Sequence, residues 1–296
     1  MAKARLLSEE LLRGLDRLSL RTRAATGLSP IGEHPGRLRS SSAEFVESRP
    51  YASGDDFRRI DWNVFARSDK LYVKLYEGET NTRVLILLDM SGSMSYGSGD
   101  VKKIDYGKIL AACLSYFAYH QRDGVGLVTF DSEIRAHIPA ARRTGQLSNI
   151  FKEIDHAEAS KETAFKKPLR YLAEILNRRG IIVVISDFYD EPSSIIAGLK
   201  ALKSKGNDIM AFHIMDDYEL TFPFEDMAQF EDLETLKKMH VIPEYLRPQY
   251  LSILNQHIAE LKKGLSGAQI DYTLMNTSKP LDAGLFAYLA ARASSV

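Results

Sequence analysis

Residues Val84-Leu85-Ile86-Leu87-Leu88-Asp89-Met90-Ser91-Gly92-Ser93-Met94 decide how this chain is read. Five apolar residues in a row, stopped by an acid and a Ser/Gly turn, are too short for a buried helix. They suit a strand covered on both faces. Similar short runs recur at 125–130, 181–185, 209–214 and 270–275. Longer amphipathic patterns lie between them, at about 103–122, 143–156, 165–179 and 192–205. Strand and helix in alternation predict an α/β fold: an open, mostly parallel central sheet with helices on both faces. The segment 134–138 follows its neighbouring strand after too short a link for a parallel crossover. It is expected as an antiparallel edge.

Upstream of this pattern the character changes, and residues 1–80 read as an N-terminal extension. Ser8 can cap a helix that carries Leu11, Leu12, Leu15 and Leu18 on one face. Residues 27–36 are rich in Gly and Pro and read as loop. Two strands are expected, at 44–51 and 70–76, the second alternating Leu71, Val73 and Leu75 with polar-tipped neighbours. The main domain is then 81–296. It carries an acidic insertion near 216–246, a helix at 247–263 and a last helix at 281–293. Residues 216–236 hold eight acids and no Lys or Arg. Such a run reads as a solvated face or as a patch that meets opposite charge.

Composition narrows the function classes. The 296 residues have zero formal net charge, 45% hydrophobic and 26% charged residues. Nothing global points to nucleic acid. One cysteine, Cys113, excludes an internal disulfide and a cysteine-rich zinc site, and its apolar neighbours mark it as a buried structural thiol. No H-E-x-x-H zinc motif and no G-x-x-x-x-G-K-[ST] phosphate loop occurs. No apolar run is long enough to span a bilayer or form a signal peptide, so a cytoplasmic protein is the expectation.

The chemistry sits where strands end. The run 84–88 leads straight into Asp89-Met90-Ser91-Gly92-Ser93, and 181–185 leads into Ser186-Asp187. In an open parallel sheet, ligands bind outside the carboxyl ends of the strands. Two carboxylates brought together there repel, and a proton or a cation relieves the repulsion. Ser91 and Ser93 add hydroxyl oxygens, and Thr163 adds a third from the loop before the helix at 165–179. An all-oxygen set suits a hard cation such as Mg²⁺.

Asp-x-Ser-x-Ser with a later Thr and a later Asp resembles the metal-ion-dependent adhesion site of von Willebrand factor A domains. The resemblance implies metal ligation by Asp89, Ser91, Ser93, Thr163 and Asp187, with Mg²⁺ (or Mn²⁺ or Ca²⁺) bound and an acidic partner side chain completing the shell. The approach to Thr163, Lys161-Glu162, departs from the glycine-rich pattern of that family. A second block, Arg49-x-Tyr51-x-x-Gly54-Asp55-Asp56-x-Arg58-x-Ile60-Asp61-Trp62 followed by Ala66-Arg67, is similar to the signature of domain-of-unknown-function family 58. That resemblance runs from about residue 32 to the last helix. It implies a protein of unassigned biochemistry linked to a MoxR-type AAA+ ATPase, or that ATPase's client, in chaperone-like maturation of a protein or cofactor. Together with the adhesion-site resemblance, the expectation is a non-catalytic, metal-dependent interaction module. The charged residues of the block are expected to pair in an ion network, Gly54 to serve a turn and Trp62 to anchor a core. The alternative is a haloacid-dehalogenase-like phosphoryl-transfer enzyme with Asp89 as nucleophile. Its usual acid/base Asp two residues later is here Ser91, which cannot do that work near neutral pH.

Overall fold

The computed structural model describes residues 43–52, 57, 60–78, 82–159, 166–176, 179–225, 228–231, 238–282, 284–285 and 288–289. These fall into two compact units, divided between Asn81 and Thr82. The expected helix near 8–20, the loop 27–36, Gly54, Asp55 and Arg58 lie outside the described residues.

The smaller unit is a two-stranded antiparallel ribbon with one short helix. Strand β1 (Ala43–Pro50) pairs with β2 (Tyr72–Gly78), with a register shift between Phe45 and Glu47. Helix α1 (Trp62–Ser68) was not expected from the sequence. It starts at Asp61, whose Oδ1 accepts from the backbone N–H groups of Asn63 at 3.1 Å and Val64 at 3.3 Å. That is an N-cap, which satisfies amide groups left bare by the first turn. Asp69 ends the helix in the left-handed region, φ 55°. Trp62, expected as a core anchor, is 59% exposed, while Ile60 and Val73 are buried. As the first residue of a helix whose cap is Asp61, Trp62 takes its direction from the helix start and not from the apolar pair.

The larger unit is built on six strands in the order β10-β7-β6-β3-β4-β5. They are β3 (Arg83–Asp89), β4 (Gly124–Phe130), β5 (Ile134–Ala141), β6 (Ile181–Ser186), β7 (Asp208–Met215) and β10 (Asp271–Asn276). All neighbours are parallel except β4 and β5, which pair antiparallel as expected. Helices α2 (Lys103–His120), α3 (Gln146–His156), α4 (Lys166–Ile175) and α5 (Pro192–Ser204) fall on the expected segments. The acidic insertion holds helix α6 (Asp217–Thr221) and a hairpin of β8 (Ala228–Glu231) with β9 (Lys238–Val241). Helix α7 (Pro243–Ser266) begins earlier than the apolar pattern suggests, with Pro243 in its first turn. Proline suits that position because its missing N–H would have no helical partner there.

Alternation along each strand feeds two cores. Val84, Ile86 and Leu88 of β3 pack with Ile181, Val183 and Ile185 of β6 and with α2 and α3. Leu85 and Leu87 pack with Ile182 and Val184 and with α4, α5 and α7 on the opposite face. This double coverage explains why the strands read as continuous apolar runs. Cys113 is buried and free in the first core, where burial pushes its thiol up to about 12. The architecture is the expected open α/β sheet.

Candidate functional site

Strand order creates the site. From β3 the chain passes to β4 on one side, while β6, β7 and β10 extend the sheet on the other. The switch in direction lies between β3 and β6, which are hydrogen-bonded neighbours. At such a switch the loops leave toward opposite faces and open a crevice at the strand carboxyl ends. Asp89 is the last residue of β3, and Asp187 directly follows β6.

Asp89 is buried and held on both oxygens. Its Oδ1 accepts from the Ser91 N–H at 2.8 Å, and its Oδ2 from the Ser186 hydroxyl at 2.5 Å. Ser91 is extended and precedes a 3-10 turn, Gly92–Ser95. This turn brings the Ser91 and Ser93 hydroxyls to 3.1 Å from each other. Burial, then the charge of Asp187, pushes the Asp89 carboxyl up to about 7, against the hydrogen bonds from Ser186 and Ser91 that favour its ionised form. Four of the five expected residues, Asp89, Ser91, Ser93 and Asp187, thus gather at one rim of the sheet. Thr163 lies outside the described residues.

The sequence reading missed the groups that complete this rim. Lys103, the first residue of α2, is fully buried. Its Nζ donates to Asp187 Oδ2 at 2.8 Å and to Glu219 Oε1 at 2.7 Å. The rings of Tyr189 and Tyr96 lie 5.0 and 5.9 Å from the ammonium. Burial acts to lower the Lys103 pKa, but the carboxylates of Asp187 and Glu219 outweigh it and the net direction is upward. Glu219 comes from the acidic run, which is therefore not merely a solvated face. Its Oε2 accepts from the Asp216 N–H at 2.8 Å, closing a capping box at the start of α6. Asp216 Oδ2 accepts from the Ser98 N–H at 3.0 Å and the Thr277 hydroxyl at 3.1 Å, tying together the loops after β3 and β10. The visible signal was the spacing of Asp216 and Glu219, three residues apart before an apolar stretch.

Behind the rim sits His213 of β7, paired in register with Ser186. Its Nδ1 lies 2.6 Å from the Tyr272 hydroxyl. Burial drives its pKa down to about 3, so the ring is neutral. Its Nε2 has no hydrogen-bond partner among the described residues.

Whether these residues fit a hard cation turns on two observations. Asp89 with two nearby hydroxyls is an oxygen donor set, and its raised pKa marks charge that a cation would neutralise. On Asp187, however, Oδ2 already carries an ammonium. Among the described residues no group of three or more His, Cys, Asp or Glu side chains is placed to hold a metal. The donors fit as a set of one carboxylate and hydroxyls, with the second carboxylate shared.

Known proteins place the chain. Similar proteins of Mycobacterium tuberculosis and Mycobacterium bovis, described only as uncharacterized, are 24% identical over 268 residues. The match covers 88% of this chain and 83% of theirs. Similar solved structures include BatB from Bacteroides thetaiotaomicron, at 16% identity and TM-score 0.48, covering 72% of this chain and 99% of that one. The SpRpn10 VWA domain is 13% identical with TM-score 0.38, covering 72% and 94%. No helix of the described residues is long and apolar enough to cross a membrane. Residues 47–260 match the family model described as protein of unknown function DUF58, and the chain belongs to that family.

Proposed function

We propose that this chain is a non-catalytic protein-interaction module whose docking point is a cation held at the β3–β6 switch by Asp89, Ser91 and Ser93. The observation that carries this reading is the buried Asp89 carboxyl beside Asp187, lifted to about 7, with two serine hydroxyls at its side. A divalent ion supplies charge there and an open coordination position for an acidic side chain of a partner. The chain's own residues do the rest. Ser186 and the Ser91 amide aim the Asp89 oxygens, and the capped helix α6 closes one side of the rim.

The partner proposed from the family resemblance is a MoxR-type AAA+ ATPase or its client, in the cytoplasm. Binding of the purified chain to such an ATPase, in Mg²⁺ and in chelator, tests it. Asp89→Ala is expected to lose association while keeping the wild-type circular dichroism spectrum. Undiminished association of Asp89→Ala in chelator would end this reading. The phosphoryl-transfer alternative gains nothing from the geometry. Position 91 offers a hydroxyl whose neighbour is Ser93, with no acid at the place where that chemistry needs one. No phosphatase activity of the purified protein is the expected result.

A further inference from the structure

Lys103 is an unusual residue to find where it is. Its ammonium is completely enclosed. It stands at the N-terminal end of α2, the positive end of the helix dipole, where a cation is disfavoured. Two carboxylates hold it there, at 2.8 and 2.7 Å, and they come from different parts of the chain: the end of β6 and helix α6. Its backbone N–H donates to the Tyr96 carbonyl at 2.9 Å, so the position is fixed by the loop that follows the Ser91–Ser93 turn.

We propose that Lys103 is the built-in counter-ion of the rim: its ammonium takes the place beside Asp187 that a divalent cation would occupy, and it thereby sets a weak metal affinity. The inference rests on the reading of Asp89, Ser91 and Ser93 as cation ligands. A divalent ion drawn to Asp187 meets a fixed positive charge already bonded to that carboxylate, in a pocket with little water to screen the repulsion. Only Asp187 Oδ1 is left, and the Tyr189 amide approaches it at 3.5 Å. The ion is therefore confined to the Asp89 side. Full use of Asp187 requires Lys103 to leave, and Glu219 is the second anchor that must release it.

The test is Mn²⁺ binding to the full chain, followed by electron paramagnetic resonance of free Mn²⁺, for wild type, Lys103→Met and Asp89→Ala. Lys103→Met is expected to bind Mn²⁺ at least tenfold more tightly than wild type, and added Mn²⁺ should raise its melting temperature more than that of wild type. Should Lys103→Met fold poorly with two buried acids uncompensated, Lys103→Met/Glu219→Gln removes one charge of each sign and should show the same gain. Equal Mn²⁺ affinity in wild type and the lysine variants, lost in Asp89→Ala, overturns the role of Lys103 and leaves the cation site standing. Mn²⁺ binding that Asp89→Ala does not weaken, or no binding by any of the chains, removes the cation site and this inference with it.

Discussion

At the scale of single residues, buried acids set the pH response of the larger unit. Asp123, just before β4, is buried, and that burial pushes its carboxyl up to about 7 despite a hydrogen bond from the Thr82 backbone and the nearby charge of Arg142. An unfolded Asp titrates near 3.9. Between about pH 4 and 7 the native chain therefore keeps a proton that the unfolded chain has lost, so stability falls as pH rises through that window and levels off above it. Asp123→Asn should match wild type near pH 4 and exceed it by up to about 4 kcal/mol at pH 8. Urea unfolding at the two pH values reads the difference, and an equal pH slope in both chains would refute the assignment. The site was half legible at this scale. Asp89, Ser91, Ser93 and Asp187 could be found because each sits next to an apolar run that fixes its place at a strand end. Lys103 could not, and Glu219 was legible only as one end of a capping box with Asp216, with nothing to say that it faces the rim. They reach the rim from a helix start and from an acidic run 116 residues further along the chain, and only the folded structure brings the two side chains together.

Elements show where the backbone itself is specified. In β4, a Cβ on Gly126 would lie 2.6 Å from both Ala140 N and Ile138 O. The pairing of β4 with β5 slips at this point, between Val125 and Leu127. Glycine lets the two backbones approach at this irregularity, as it often does at bulges. Gly126→Ala should destabilise by about 1–3 kcal/mol, because backbone atoms of a paired strand cannot step aside. Gly264 in α7 makes the opposite case. A Cβ there meets Cδ1, the tip of the Ile196 side chain, which can rotate away, and alanine gains roughly 1 kcal/mol of helix propensity over glycine. Thermal melts should place Gly126→Ala well below wild type and Gly264→Ala close to it. Strand positions were legible because both faces are covered and the apolar runs are continuous. Helix α1 was not, since its evidence is a cap at Asp61 with no apolar periodicity behind it.

For the whole molecule, the decisive question is where the core ends. The family match stops at residue 260, yet Met275, Leu281, Leu285 and Leu289 are buried in the same core as Met210, Phe212 and Ile214 of β7. All eight residues of β7 are buried, and β10 pairs along it from Asp271 to Asn276. A chain ended at Gly267 would turn β7 into an edge: an apolar strand with unpaired amides and carbonyls, the kind that templates aggregation. It would also uncover Met210, Phe212 and Ile214, each losing on the order of 1.5–3 kcal/mol of burial. A domain's net stability is only about 5–15 kcal/mol. The truncated chain should therefore lose its cooperative thermal transition, bind a hydrophobic dye and collect in the insoluble fraction. The Thr277 hydroxyl on Asp216 would go as well, so any Mn²⁺ bound at the rim should be held less firmly. A soluble truncated chain with a sharp melt near that of wild type would mean that the sheet closes without β10, and that the last residues decorate a core already complete.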